Sequence, residues 1–197
     1  MVIDAKEDRK ALLKQYAVGS ATMIEAKVLV LEALGYEDVA LELKGQAKVI
    51  RQGSSDELEA ALKKGNKLLA QSNKLLANSN HEGALAQSVY NKHFALTSVA
   101  RDRQYNLLLT RAIPEIVVLV EASMDASTIQ KAALIAESDR YITVIKDFKK
   151  IDEEEKAVDA VAKTYNLAVK RRKDYKIDDA VKKAMPSGGG LVKGLTF

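Results

Sequence analysis

Apolar positions recur along most of this chain every three or four residues, the spacing that gathers them on one face of an α-helix. Leu13, Tyr16, Ile24, Val28, Leu31 and Leu34 predict a first helix over residues 5–34, with Gly35 as its stop. Gly19-Ser20 falls inside it, where the missing side chain allows either a bend or the close approach of a neighbour. A second helix is expected over 37–51, ending before Gly53. Ser54 and Glu57 stand at the spacing of a capping box, which predicts the start of a third.

That third helix carries the clearest internal repeat, Asn66-Lys67-Leu68-Leu69-Ala70-Gln71-Ser72 followed by Asn73-Lys74-Leu75-Leu76-Ala77-Asn78-Ser79. Seven residues make about two helical turns, so Leu68, Leu69, Leu75 and Leu76 return to one stripe with Gly65, Ser72 and Ser79 between them. Leucines alternating with small residues favour close helix packing. The polar stretch 78–83 reads as a turn, and a helix over 84–112 should follow. It has two usable faces, one with Leu85, Val89, Leu96 and Leu107 and the other with Tyr90, Phe94, Tyr105 and Leu108.

Pro114 disfavours helical geometry at Ile113 and predicts a kink or restart. Residues 115–120 are β-branched and alone would pass for a strand, but with no second strand to pair with they read as buried helix. A break near 124–127 precedes a helix to about Lys150 with a heptad-like seam of Leu134, Tyr141, Ile145 and Phe148. Asp152 to Glu155 put four acids where a helix start favours them, and Lys170, Arg171, Arg172 and Lys173 put four cations where a helix end does, which predicts one last long helix over 152–174. A short helix over 178–185 is stopped by Pro186. Ser187-Gly188-Gly189-Gly190 reads as a linker before an apolar tail ending in Leu191, Leu195 and Phe197.

The pattern predicts an all-α protein: an elongated bundle of four to six amphipathic, mostly antiparallel helices over 1–185, with a Gly-rich linker and tail over 186–197. Composition agrees, since only 2 Pro and 10 Gly interrupt 197 residues and the scarcity of aromatics leaves the core to Leu, Ile, Val and Ala. No stretch approaches the roughly 20 apolar residues of a membrane span, and the charged first ten residues lack the apolar segment of a signal peptide. With no Cys, thiolate metal sites and thiol nucleophiles are excluded, and the compartment, cytoplasmic or exported, stays open. The 31 basic residues stand against 27 acidic ones, a mixed surface rather than a nucleic-acid signature.

Candidate chemistry is sparse. His81 and His93 are the only histidines and would point about 120° apart on one helix, so both read as surface or helix-end residues, with no metal or cofactor implied. The acids at 37–38, 57–59 and 152–155 lack the Glu-x-x-His motif of a di-iron bundle, and the tail glycines lack the order of a phosphate loop. Arg103, on the stripe of Leu96 and Leu107, calls for a buried carboxylate partner. Tyr90, Phe94, Arg101 and Tyr105 combine aromatics with an Arg, a composition enriched at interfaces although helix core explains it too. Lys170 to Lys173 are the strongest charge feature.

These readings favour a non-enzymatic structural or interaction protein that assembles through helix faces and its C-terminal tail, as a homo-oligomer or within a larger complex, with no small-molecule substrate evident. Two alternatives remain: a nucleic-acid or anionic-membrane binding module using the basic end, and an exported helical protein with a small-ligand pocket near Tyr90 and Phe94.

Overall fold

In a computed structural model the described residues are 2–54 and 56–186, with side chains from residue 5, and among them every regular element is helical. The tail residues Leu191, Leu195 and Phe197 lie outside the described residues. The first helix, α1 (Val2–Ala33), is the axis of the bundle. Leu12, Leu13, Tyr16, Ile24, Leu31 and Leu34 are buried on it or at its end, and Gly35 ends it at a left-handed φ of +92°. The second, α2 (Glu37–Gln52), returns antiparallel along it, so that Lys44 reaches Glu32 and, further on, Arg51 grips Glu25 with two bonds of 2.8 Å.

The third helix, α3 (Leu58–Leu76), buries Leu58, Leu62, Gly65, Leu69, Ser72 and Leu76; of the predicted stripe, Leu68 and Leu75 are only half-buried and Ser79 lies exposed beyond the helix end. A Cβ at Gly65 would stand 2.9 Å from Ile50 and 3.0 Å from Ile24, so the glycine lets α3 approach both neighbours. The expected capping box does not form. The N-cap is Glu57, and the carbonyl rather than the hydroxyl of Ser54 accepts the Glu57 N–H at 3.1 Å. Gly19 likewise serves close approach and not a bend, since a Cβ there would meet the Gln104 side chain at 2.7 Å.

After the predicted turn comes a rod from Gln87 to Met124: α4 (Gln87–Leu107), a π-helical turn (Leu108–Ala112) and α5 (Ile113–Met124). Pro114 therefore neither ends the helix nor restarts it. The Ile113 N–H bonds the Leu108 carbonyl, a wide turn that absorbs the missing proline donor and its ring within a continuous helix. Ser127 and Gln130 cap the next helix, α6 (Thr128–Glu154), which runs back antiparallel to the rod.

The largest departure from expectation follows. Residues 152–174 are not one helix: α6 ends with the acids Asp152, Glu153 and Glu154, α7 (Lys156–Thr164) follows, and residues 165–176 contain no helix. Asn166 adopts φ +57°, and the Leu167 N–H returns to the Ala162 carbonyl at 3.0 Å. This is a helix-ending motif with asparagine in the left-handed position. The chain then crosses α4 as a strap before α8 (Ile177–Ala184), which buries Ile177 and Val181. Counting α4 with α5 and α6 with α7 as rods gives six among the described residues, an all-α bundle.

Candidate functional site

The strap brings together the two groups of residues that the sequence nominated separately. Tyr90, Phe94, Arg101 and Tyr105 line the side of α4 on which residues 168–175 lie. Gln87 holds the Ala168 backbone from both ends of its amide, accepting the N–H at 2.8 Å and donating to the carbonyl at 3.0 Å. The Tyr90 hydroxyl accepts the Lys170 N–H at 3.1 Å and donates to Asp159 at 3.0 Å. Lys170 and Arg172 place their cations 5.6 and 5.1 Å from the Phe94 ring centre. Lys173 lies 5.8 Å from that of Tyr105 and, with Tyr175, bonds Asp102. The space beside Tyr90 and Phe94 is thus filled by the chain itself. Of the four cations, Arg172 and Lys173 are committed to acids of the same molecule, while Arg171 stands exposed.

Arg172 is the centre of this closure. Its Nε and Nη2 form a fork on Asp159 at 2.7 and 2.8 Å, and Nη1 donates to Thr97 at 3.3 Å. Nη1 also lies 3.4 Å from Glu155 Oε2. Burial opposes the charge on Arg172, but the hydrogen bond to Asp159 and the fields of Glu155 and Asp159 more than offset it and hold the guanidinium charged.

Beneath Arg172 is a set of buried polar residues that periodicity did not reveal. His93 is fully buried, not a surface residue, with Nε2 3.4 Å from Glu155 Oε2. Lys27 projects from the middle of α1 and donates to Asn73 of α3 at 2.8 Å. Burial lowers the Lys27 pKa against the pull of Glu155 and Glu154, and burial, then Lys27 and Arg172, press that of His93 well below the ordinary imidazole value. Both His93 nitrogens and Glu155 Oε2 are buried without an aligned hydrogen bond. Arg101 rather than Arg103 is the buried cation of α4. Its guanidinium stacks 3.6 Å above the Phe148 ring, donates to Gln104 and the Phe148 carbonyl, and approaches Asp152 at 3.7 Å. Arg103 is exposed. A small opening of about 50 Å³ beside Arg101, Glu155 and Arg172 has room for one or two water molecules.

His81 stays in the turn, bonded to the Tyr36 hydroxyl at 2.8 Å. Among the described residues no group of three or more His, Cys, Asp or Glu is placed to hold a metal ion, and no helix is long and apolar enough to cross a membrane. Chemically, the site can lock the strap through paired charge. Its only imidazole is kept neutral and enclosed.

The remaining unusual surface is apolar. Among the described residues seven large hydrophobic side chains are strongly exposed, and four of them stand on α1, α2 and α4: Val18 at 46%, Leu41 at 70%, Val49 at 52% and Val99 at 53%. Val18 and Val99 line one groove between α1 and α4, of about 360 Å³, floored by Gly19, Ala100, Gln104 and Leu107 and edged by Gln15, Thr22, Arg103 and Asn106.

No family model matches this chain, and no curated protein or solved structure is similar to it.

Proposed function

We propose that this protein is a non-enzymatic interaction component that assembles with copies of itself through its helix faces. The observation that carries the reading is the exposed apolar set Val18, Leu41, Val49 and Val99 on α1 and the two helices that pack against it, α2 and α4, together with an α1–α4 groove that no side chain of the described residues fills. A monomer gains nothing from leaving these groups in water, whereas an interface removes them at about 25 cal/mol per Å². The charged residues support binding rather than chemistry, since they are spent on holding the strap to α4. The basic end supports nucleic-acid or membrane binding less well than its sequence implied, because Arg172 and Lys173 are occupied by Asp159 and Asp102.

The test is the mass in solution by light scattering over a concentration series, for the full chain and for a version ending at Met185. A concentration-dependent oligomer in both is the expected result and assigns assembly to the helices. An oligomer only in the full chain assigns it to the tail instead. Monomers in both, up to several hundred micromolar, would sink the proposal.

A further inference from the structure

Resting on that reading, we infer that the contact between copies is head to tail: the outer ridge of α2 in one molecule enters the α1–α4 groove of the next. Leu41, Gly45 and Val49 recur every four residues and form a single line along the exposed side of α2. The two apolar residues are among the most exposed in the molecule, and Gly45 lies between them. A Cβ added to Gly45 would meet nothing within 4 Å among the described residues, so their packing does not call for a glycine there, although it weakens the middle of a helix. A small residue between two apolar knobs fits the close approach of another backbone.

The groove is complementary in shape and charge. Its floor is Gly19, Ala100, Gln104 and Leu107, and Val18 and Val99 stand on its two helices. Arg103 is its only charged lining residue and makes no ion pair among the described residues. The ridge carries Asp38 and Glu42 beside Leu41, both exposed and likewise without an ion pair among the described residues, with Lys48 toward the other end. Setting the Leu41 end over Arg103 matches the unpaired cation to unpaired acids and puts Lys48 at a distance from it. Ridge and groove are different surfaces, so the contact is heterologous, and each added copy leaves one of each free for ring or filament growth.

Leu41→Asp blocks the ridge and Val99→Asp blocks the groove. Both positions are exposed, so neither change opens the core, and circular dichroism verifies the fold of each. In sedimentation velocity at a concentration where the wild type associates, each variant alone should be monomeric, with association weakened at least tenfold. An equimolar mixture should give a dimer and nothing larger, because one partner retains its groove and the other its ridge. Single variants that associate like the wild type would overturn the inference while leaving self-assembly standing through another surface. A mixture that stays monomeric would overturn the head-to-tail geometry. A wild type that never associates would remove both claims.

Discussion

Replacing Arg172 with Met should release the strap without unfolding the bundle. The change removes the fork on Asp159, the bond to Thr97 and the ion pair with Glu155, while Asp159 keeps only the Tyr90 hydroxyl. Deleting one partner of a fully buried pair costs about 3–5 kcal/mol. Arg172 and Asp159 are 17% and 15% exposed, so water recovers part of that, and about 2–4 kcal/mol is the reasonable range. At about 1.4 kcal/mol per tenfold, the open population of the strap should rise by roughly 30- to 700-fold. The loss falls on residues 165–176, whose backbone ties to α4 are the Gln87 and Tyr90 contacts, so it should read locally. Amide exchange at Ala168 and Lys170, and trypsin cleavage after Lys170, Arg171 or Lys173, should accelerate accordingly, while amides in the middle of α1 change much less. Arg172→Lys, with charge but no fork, should fall between. A change of less than threefold at the strap amides would refute the view that this pair closes it.

Other consequences follow from the same contacts. His93 is held neutral, with Lys27 of α1, Glu155, Asp159 of α7 and Arg172 of the strap facing it. Because its folded pKa is depressed, its contribution to stability is present above about pH 6.5 and is lost as the pH falls below it, when the unfolded chain takes up a proton that the folded chain refuses, by at most about 1.4 kcal/mol per pH unit. Urea titrations of wild type and His93→Gln between pH 7 and 5 should converge at low pH; parallel curves would contradict the assignment. Gly45→Ala should stabilise the isolated fold by about 0.5–1 kcal/mol in denaturant melts, since the site is open and helical, yet weaken association. Polyanion binding should be weak at 150 mM salt and little altered by Arg171→Glu, as measured by fluorescence anisotropy with a labelled oligonucleotide.

The helices were legible because their cores obey a simple period. Leu13 to Leu34 and Leu58 to Leu76 alternate apolar and polar positions so regularly that burial follows directly, and the small-residue stripe at Gly65 and Ser72 is where α3 meets its neighbours. The last third was misread for a physical reason. Acids before cations satisfy a helix dipole, but Asp152 to Glu154 end one helix, while Arg172 and Lys173 pair across space with Asp159 of α7 and Asp102 of α4. The local signal was Asn166, a residue that tolerates the left-handed conformation, followed by apolar Leu167. His93, Lys27 and Glu155 could not be found by periodicity, because each looks polar and solvent-facing in sequence, and only tertiary packing, with Asn73 of α3 on Lys27 and Arg172 of the strap beside Glu155, encloses them. Arg101 and Arg103 differ by two residues and hence by about 200° around the helix, so taking the face of Leu96 and Leu107 as the buried one, rather than the face of Tyr90 and Leu108, exchanged the buried cation for the exposed one.

Since the chain contains no cysteine, self-assembly can be read covalently. Glu42 at the edge of the ridge and Asn106 beside the groove are both exposed, and Glu42→Cys with Asn106→Cys in one molecule places a thiol on each surface while Gly45 stays open and Asp38 is left to face Arg103. Under mild oxidation at low micromolar concentration, the double variant should give a ladder of disulfide-linked dimers, trimers and larger species on a non-reducing gel. An equimolar mixture of the two single variants should stop at dimers. A double variant that links no faster than either single variant alone would contradict head-to-tail assembly.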